Sequence, residues 1–177
     1  MTKRRRGRRR HISITIEASP HRSLYDAPMH TYNARIVWDG NLGDGTSTYA
    51  GYGRQYRTVI DGKPDLAGSA DPSFRGEREK HNPEDLFLAS ISACHMLTYL
   101  ALCAQQGIVV VAYEDDALGT MNDERFVEVI LKPRVTITDA ARAEDAASLH
   151  ERAHALCFIA NSCSVPIHAQ PVIEVGP

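Results

Sequence analysis

The order of patterns along the chain predicts an α+β fold, with antiparallel sheets packed on two long helices. Three observations lead there. Two extended runs rich in β-branched and aromatic residues come first, at 31–38 and 49–60. A long, almost uniformly apolar helical stretch follows from residue 82. Strand patterns then resume, and a second helical stretch and a short terminal strand close the chain. Strands, helix, strands, helix, strand is the order of an α+β domain rather than a doubly wound one. Neither an internal repeat nor a phosphate-cradling glycine motif is present.

Each element has its own signal. Thr31–Trp38 suits a strand, and the turn-rich 39–46 (DGNLGDGT) points to a hairpin or a long loop behind it. Tyr49–Ile60 reads as a second extended region, ended by Asp61-Gly62-Lys63-Pro64. Residues 64–81 are polar and Gly/Pro-bearing, a long loop of the kind that often carries function. Asn82-Pro83-Glu84-Asp85 is a strong helix start: an N-cap, a proline at the first position, and acids facing the positive end of the dipole. That helix is expected to reach Gln106 and stop at Gly107. Ile108–Ala112 and Arg125–Thr138 read as strands, with 119–124 as the turn between them. Ala140–Ser162 reads as the second helix, ended by Pro166, and Val172–Val175 as the last strand.

The composition excludes several classes. With 177 residues, 43% apolar and 24% charged, the chain suits one soluble domain with a true core, not a collagen, a disordered protein or a polytopic membrane protein. The formal charge of -2 is a cancellation. Residues 1–10 hold seven of the 20 Lys+Arg and no acid, so the rest carries 13 basic against 22 acidic groups, a net of -9. A block of like charge cannot bury a core, so residues 1–28 read as a basic, disordered extension and 29–177 as the domain. One basic arm without a basic domain behind it does not make a nucleic-acid partner. Met29 is a candidate natural start, and the lack of a signal-peptide pattern makes the cytoplasm the expected location. The stretch Leu86–Ala104 reaches the length of a membrane span, but its central His95 and the lack of basic flanks argue for a helix surrounded by protein, with a dimer helping to cover it.

The chemistry centres on four cysteines. Cys94 and Cys103 lie on the first helix, about 180° apart, so they cannot share a site there. Cys103, set in Tyr-Leu-Ala-Leu-Cys-Ala, reads as a packing residue. Around Cys94 the small neighbours Ala89, Ser90, Ser92 and Ala93 leave room for a substrate or another element. Asn82-Pro83-Glu84-Asp85-Leu86, followed after the right spacing by Ala93-Cys94-His95, resembles the signature helix of the OsmC/Ohr thiol peroxidases. The segment 153–162 (AHALCFIANS) resembles that family's second motif, and 30–41 and 68–77 look most like its OsmC-like branch.

The resemblance implies an intertwined homodimer with sites at the interface. It implies a peroxidatic Cys94 resolved by Cys157, no cofactor or metal, a small-molecule hydroperoxide as substrate and an external dithiol as reductant. A peroxidatic cysteine must be a thiolate, and Cys94 is too far inside its helix for the dipole to help. In the family an arginine held by the motif glutamate supplies the charge, and Glu84 matches that position. Ten residues, about 15 Å of helix, separate Glu84 from Cys94, so Glu84 would serve a thiol of the partner chain. Arg75, in Ser73-Phe74-Arg75-Gly76-Glu77, stands near the loop arginine of the OsmC type, and Arg78 and Arg54 remain further candidates. Phe87, Leu88, Met96 and Phe158 would line an apolar pocket favouring organic hydroperoxides. Cys163, placed on the second helix, reads as a bystander. Two other readings stay open: a metal site built on His150, His154, Cys157 and the Cys94-His95 pair, and a ligand-binding dimer without peroxidase activity.

Overall fold

The computed structural model describes residues 29–176. The expected disordered extension, residues 1–28, lies outside the described residues, and so do the segments that bear on a start at Met29.

In the body from Asn33 onward, nine strands and two helices follow the predicted class. Strands β1 (Arg35–Trp38), β2 (Tyr56–Val59) and β3 (Leu66–Gly68) form an antiparallel sheet. The first is shorter than expected, since 31–34 form no strand. A 3₁₀ turn at Pro72–Phe74, capped by Asp71, occupies the long loop. Helix α1 (Pro83–Gln105) begins as its sequence demands: Asn82 accepts from the backbone of Asp85, and the Asp85 carboxylate accepts from the backbone of Asn82. It ends in a Schellman turn. Gly107 takes φ 67°, and the N–H of Ile108 reaches back to the carbonyl of Cys103 at 2.9 Å.

Strands β4 (Val110–Asp115), β5 (Leu118–Met121), β6 (Phe126–Leu131) and β7 (Pro133–Ile137) follow. The segment predicted as a turn at 119–124 therefore holds most of β5, and the tight turn is confined to 122–125. There Asn122 Oδ1 accepts from the N–H groups of Glu124 and Arg125. Helix α2 covers Ala143–Leu156, preceded by a 3₁₀ turn at Ala140–Arg142. It is shorter than the predicted 140–162. Cys157 leaves the helix at ψ 114°, and Asn161 Nδ2 takes up the carbonyl of Ala155 at 3.0 Å. That side chain satisfies a carbonyl of the last turn, so the helix stops well before Pro166.

β8 (Ile167–Ala169) was not expected from the sequence; β9 (Val172–Val175) was. Both return past α2 and lie parallel to their neighbours: β8 joins β5 and β6, and β9 joins β4 and β7. The sheets are therefore mixed rather than purely antiparallel. Two apolar cores result. Tyr99, Leu102 and Cys103 of α1 pack with Val135, Ile137 and the α2 residues Ala146, Leu149 and Ala153. Ile91 packs with Val129 and Leu131 beneath the first half of α1.

α1 is not surrounded by its own chain. It is long and apolar enough to cross a membrane by length and composition, yet only 28% of its most apolar window is buried. Leu97 stands 63% exposed. A groove of about 870 Å³ runs along the uncovered face, lined by Leu86, Ala89, Ala93 and Met96.

Candidate active site

Helix–helix packing brings two thiols together. His95, one residue after Cys94, is buried, and its Nε2 lies 3.0 Å from Nδ1 of His150 on α2. Tyr99, one turn on, stacks on the His150 ring with centroids 3.9 Å apart. With α1 and α2 held in this register, Cys157 at the end of α2 comes to lie near Cys94. Both are free thiols. Cys94 is half-buried and Cys157 is 1% exposed.

Burial, and next the neighbouring Cys94, push the Cys157 thiol up to about 11. The N–H of Ala160, 3.4 Å from its Sγ, opposes that shift without cancelling it. The two thiols are thus unlike: one open to a ligand, one buried and held protonated near neutral pH.

The remaining predicted residues divide. Cys103 packs in the core as expected, and burial raises its thiol too. Cys163 lies beyond α2 rather than on it, half-buried against the core below Ile91, with its Sγ 3.4 Å from the carbonyl of Ala160. Glu84 sits in the first turn of α1, ten residues from Cys94 in its own chain. Its Oε2 is buried and has no protein partner. It borders a cavity of about 670 Å³ with Asp71, Phe74, Leu88 and Phe126.

Arg75 is exposed and takes φ 68° at the end of the 3₁₀ turn, and it makes no ion pair with Glu84 in the chain. The backbone dictates this. Gly76 is pressed so closely on the carbonyl of Ala70 that a Cβ there would meet it at 1.5 Å, and the tight return leaves Arg75 on the outside. The expected apolar pocket is not assembled in one place either. The Phe87 and Phe126 rings pack tilted at 33° with centroids 4.9 Å apart, Leu88 packs in the same cluster, Met96 lies in the α1 groove, and Phe158 is 83% exposed.

The metal reading loses its ligands to each other. His95 and His150 form a pair, and among the described residues no group of three His, Cys, Asp or Glu is placed to hold a metal ion. Burial lowers the basicity of both rings, that of His150 to about 3, so the pair is neutral. The sequence offered both histidines as ligands and gave no sign that they meet. Only their partners across 55 residues reveal it.

With this geometry in place, comparison with known proteins decides the family. A family model described as OsmC-like protein matches residues 76–170, just over half of the chain. The chain belongs to the OsmC-like family. Solved structures agree. An OsmC-like protein of unknown function from Vibrio cholerae is 27% identical, with a TM-score of 0.73 over 81% of this chain and 100% of that one. An organic hydroperoxide resistance protein from Elizabethkingia anophelis is 18% identical, with a TM-score of 0.59 over 84% of this chain and 99% of that one. One from Legionella pneumophila is also 18% identical, with a TM-score of 0.57 and the same coverage. The last two share the fold with this OsmC-like chain. No curated protein matches its sequence.

Proposed function

We propose that this OsmC-like protein reduces organic hydroperoxides, and hydrogen peroxide less well, through Cys94 and Cys157. One observation carries the reading: two free thiols from different helices lie side by side, the half-buried Cys94 beside the fully buried Cys157. The substrate class follows the names of the two hydroperoxide resistance proteins that share the fold.

The Cys94 thiolate attacks the outer oxygen of the peroxide. An S–O bond forms, the O–O bond breaks, and the alkoxide leaves as alcohol once protonated; Cys94 becomes a sulfenic acid. The raised pKa keeps Cys157 a thiol through this step, so it does not compete for the peroxide. Cys157 then attacks the sulfenic sulfur. The S–S bond forms, the S–O bond breaks, and water leaves with the Cys157 proton. An external dithiol reduces the disulfide and is itself oxidised, as a reducing compartment such as the cytoplasm would allow.

A homodimer completes the site. The uncovered apolar face of α1 calls for a partner, and Glu84 can reach a Cys94 only across such an interface. The test is a peroxidase assay with cumene hydroperoxide and a dithiol. Cys94→Ser should abolish turnover. Cys157→Ser should allow one oxidation event and leave a sulfenic acid that dimedone traps. Peptide mapping of oxidised wild type should find the Cys94–Cys157 link. Undiminished turnover in Cys94→Ser ends the proposal, and a wild type that consumes no peroxide favours the ligand-binding dimer.

A further inference from the structure

Three of the four thiols gather near the end of α2. Cys94 and Cys157 lie near one another, and Cys163 packs against the cluster of Ile91, which sits one helical turn before Cys94 on α1. Cys103 stands apart, in the other core beside Tyr99. A 3₁₀ turn at Ala160–Ser162 ties Cys157 to Cys163. The N–H of Ala160 donates to Cys157 Sγ at 3.4 Å, and the carbonyl of the same residue accepts from Cys163 Sγ at 3.4 Å. The nitrogen and oxygen of one residue lie less than about 4 Å apart, so the two sulfurs stand no more than about 11 Å from each other.

The two sulfurs differ in access. Cys157 is 1% exposed. Cys163 is half-buried and lines a hollow of about 350 Å³ with Phe87, Arg125, Phe126 and Val165, to which neither Cys94 nor Cys157 of the same chain contributes. A disulfide between Cys94 and Cys157 therefore offers an external reductant only the Cys94 sulfur, at the opening the peroxide uses. Attack on the Cys157 sulfur is left to a thiol already inside the fold.

The chain between Cys157 and Cys163 can give way. Cys157 has left α2 with extended backbone, and one 3₁₀ turn is the only regular element in 158–162. Phe158, Asn161 and Ser162 are exposed. The N–H of Cys163 reaches the Ala160 carbonyl at 3.4 Å, long for a backbone hydrogen bond. Unwinding that single turn lets Cys163 approach Cys157, and the five residues between them allow the Cα separation of roughly 6 Å that a disulfide needs.

We propose that Cys163 is a third redox thiol, which takes over the disulfide formed at the peroxide site. The inference rests on the Cys94–Cys157 pair of the proposed peroxidase, yet its test needs no peroxide. The Cys163 thiolate attacks the Cys157 sulfur. The S–S bond between Cys157 and Cys163 forms, the bond between Cys94 and Cys157 breaks, and its electron pair leaves on Cys94, which takes up the proton that Cys163 gave up. The chain gains and loses no electrons in this step. Cys94 is then free for the next peroxide while the oxidation waits at Cys163. One thiol of an external dithiol attacks the Cys163 sulfur, and Cys157 leaves and is protonated. The second thiol of the reductant closes the reductant's own disulfide and releases Cys163.

The fully reduced protein is oxidised with one equivalent of diamide per chain, quenched in acid at successive times, and its free thiols are blocked with N-ethylmaleimide. Chymotrypsin cuts after Phe158, so the partners of Cys157 and Cys163 are read separately by peptide mass. Wild type should show the Cys94–Cys157 link first, giving way to Cys157–Cys163 with Cys94 blocked by maleimide. Cys163→Ala should stop at Cys94–Cys157. Its re-reduction by a dithiol should slow on the order of tenfold, while the rate at which cumene hydroperoxide oxidises Cys94 stays that of wild type. A merely structural role for Cys163 would disturb both rates. Wild type that keeps the Cys94–Cys157 link with Cys163 blocked by maleimide overturns the exchange, and that result does not depend on any variant folding. Wild type that consumes no peroxide but ends as Cys157–Cys163 under diamide defeats the peroxidase reading and upholds the exchange.

Discussion

At the scale of single residues, the buried His95–His150 pair joins α1 to α2 close to Cys94. Its pH behaviour is specific. A histidine in the unfolded chain titrates near 6.5, whereas burial holds His150 down to about 3 and lowers His95 as well, with His154 adding to the effect on His95 and Asp115 opposing it. Between those values the unfolded chain binds protons that the folded chain refuses, so acid favours unfolding. Stability present above pH 6.5 should fall as the pH drops towards 3, by at most about 1.4 kcal/mol per pH unit for each such group. Thermal melts from pH 7 to 4 should show it, and His150→Phe should flatten the slope. An equal slope in that variant would place the acid sensitivity elsewhere. Cys94, Cys157 and Glu84 stand out along the chain as candidates because motif spacing along a helix is a one-dimensional signal. Arg54 was one of three candidate arginines there, and its surroundings could not be read along the chain, because they are assembled from residues 38, 49, 52, 54 and 84, which no single window contains.

Among the elements, α1 shows how well local rules predict structure when every one of them agrees. Asn82, Pro83, Asp85 and Gly107 all sit where capping chemistry wants them, and the helix obeys. Gly107→Ala should cost about 1 kcal/mol through its left-handed backbone alone, since a Cβ there meets nothing within 4 Å. A shift of the urea midpoint with an unchanged slope would show this, and no shift would mean that the left-handed turn at Gly107 contributes nothing to stability. α2 is the opposite case. Its Ala-rich run ends at Leu156, where Cys157 turns to extended backbone and Asn161 Nδ2 takes up the carbonyl of Ala155. That early exit turns Cys157 off the helix and in beside Cys94. β8 escaped notice for a related reason. Three residues carry little periodicity, and its parallel partner β6 lies more than 30 positions away.

For the whole molecule, the unresolved demand is the face of α1 that its own chain leaves bare. A helix this apolar with 28% of its core window buried is incomplete as a monomer in water. The expected outcome is a dimer in sedimentation equilibrium. Met96→Asp, which places a charge in the groove lined by Ala89 and Ala93, should shift it to monomer and cut peroxide turnover at least tenfold with the helical spectrum retained. A wild type that is monomeric and fully active would end the shared-site idea. Dimerisation would also explain why Glu84 and Cys94 occupy one helix yet stand too far apart to cooperate there.

Capping, periodicity and motif spacing act over a few turns of chain, so the start of α1, the α+β order and the family could be read along it. Tertiary structure alone decided which groups meet. It paired His95 with His150, set Cys157 against Cys94, turned Arg75 outward and clamped Arg54 between two tyrosines. Those contacts join residues tens of positions apart, and packing, not local preference, selects them.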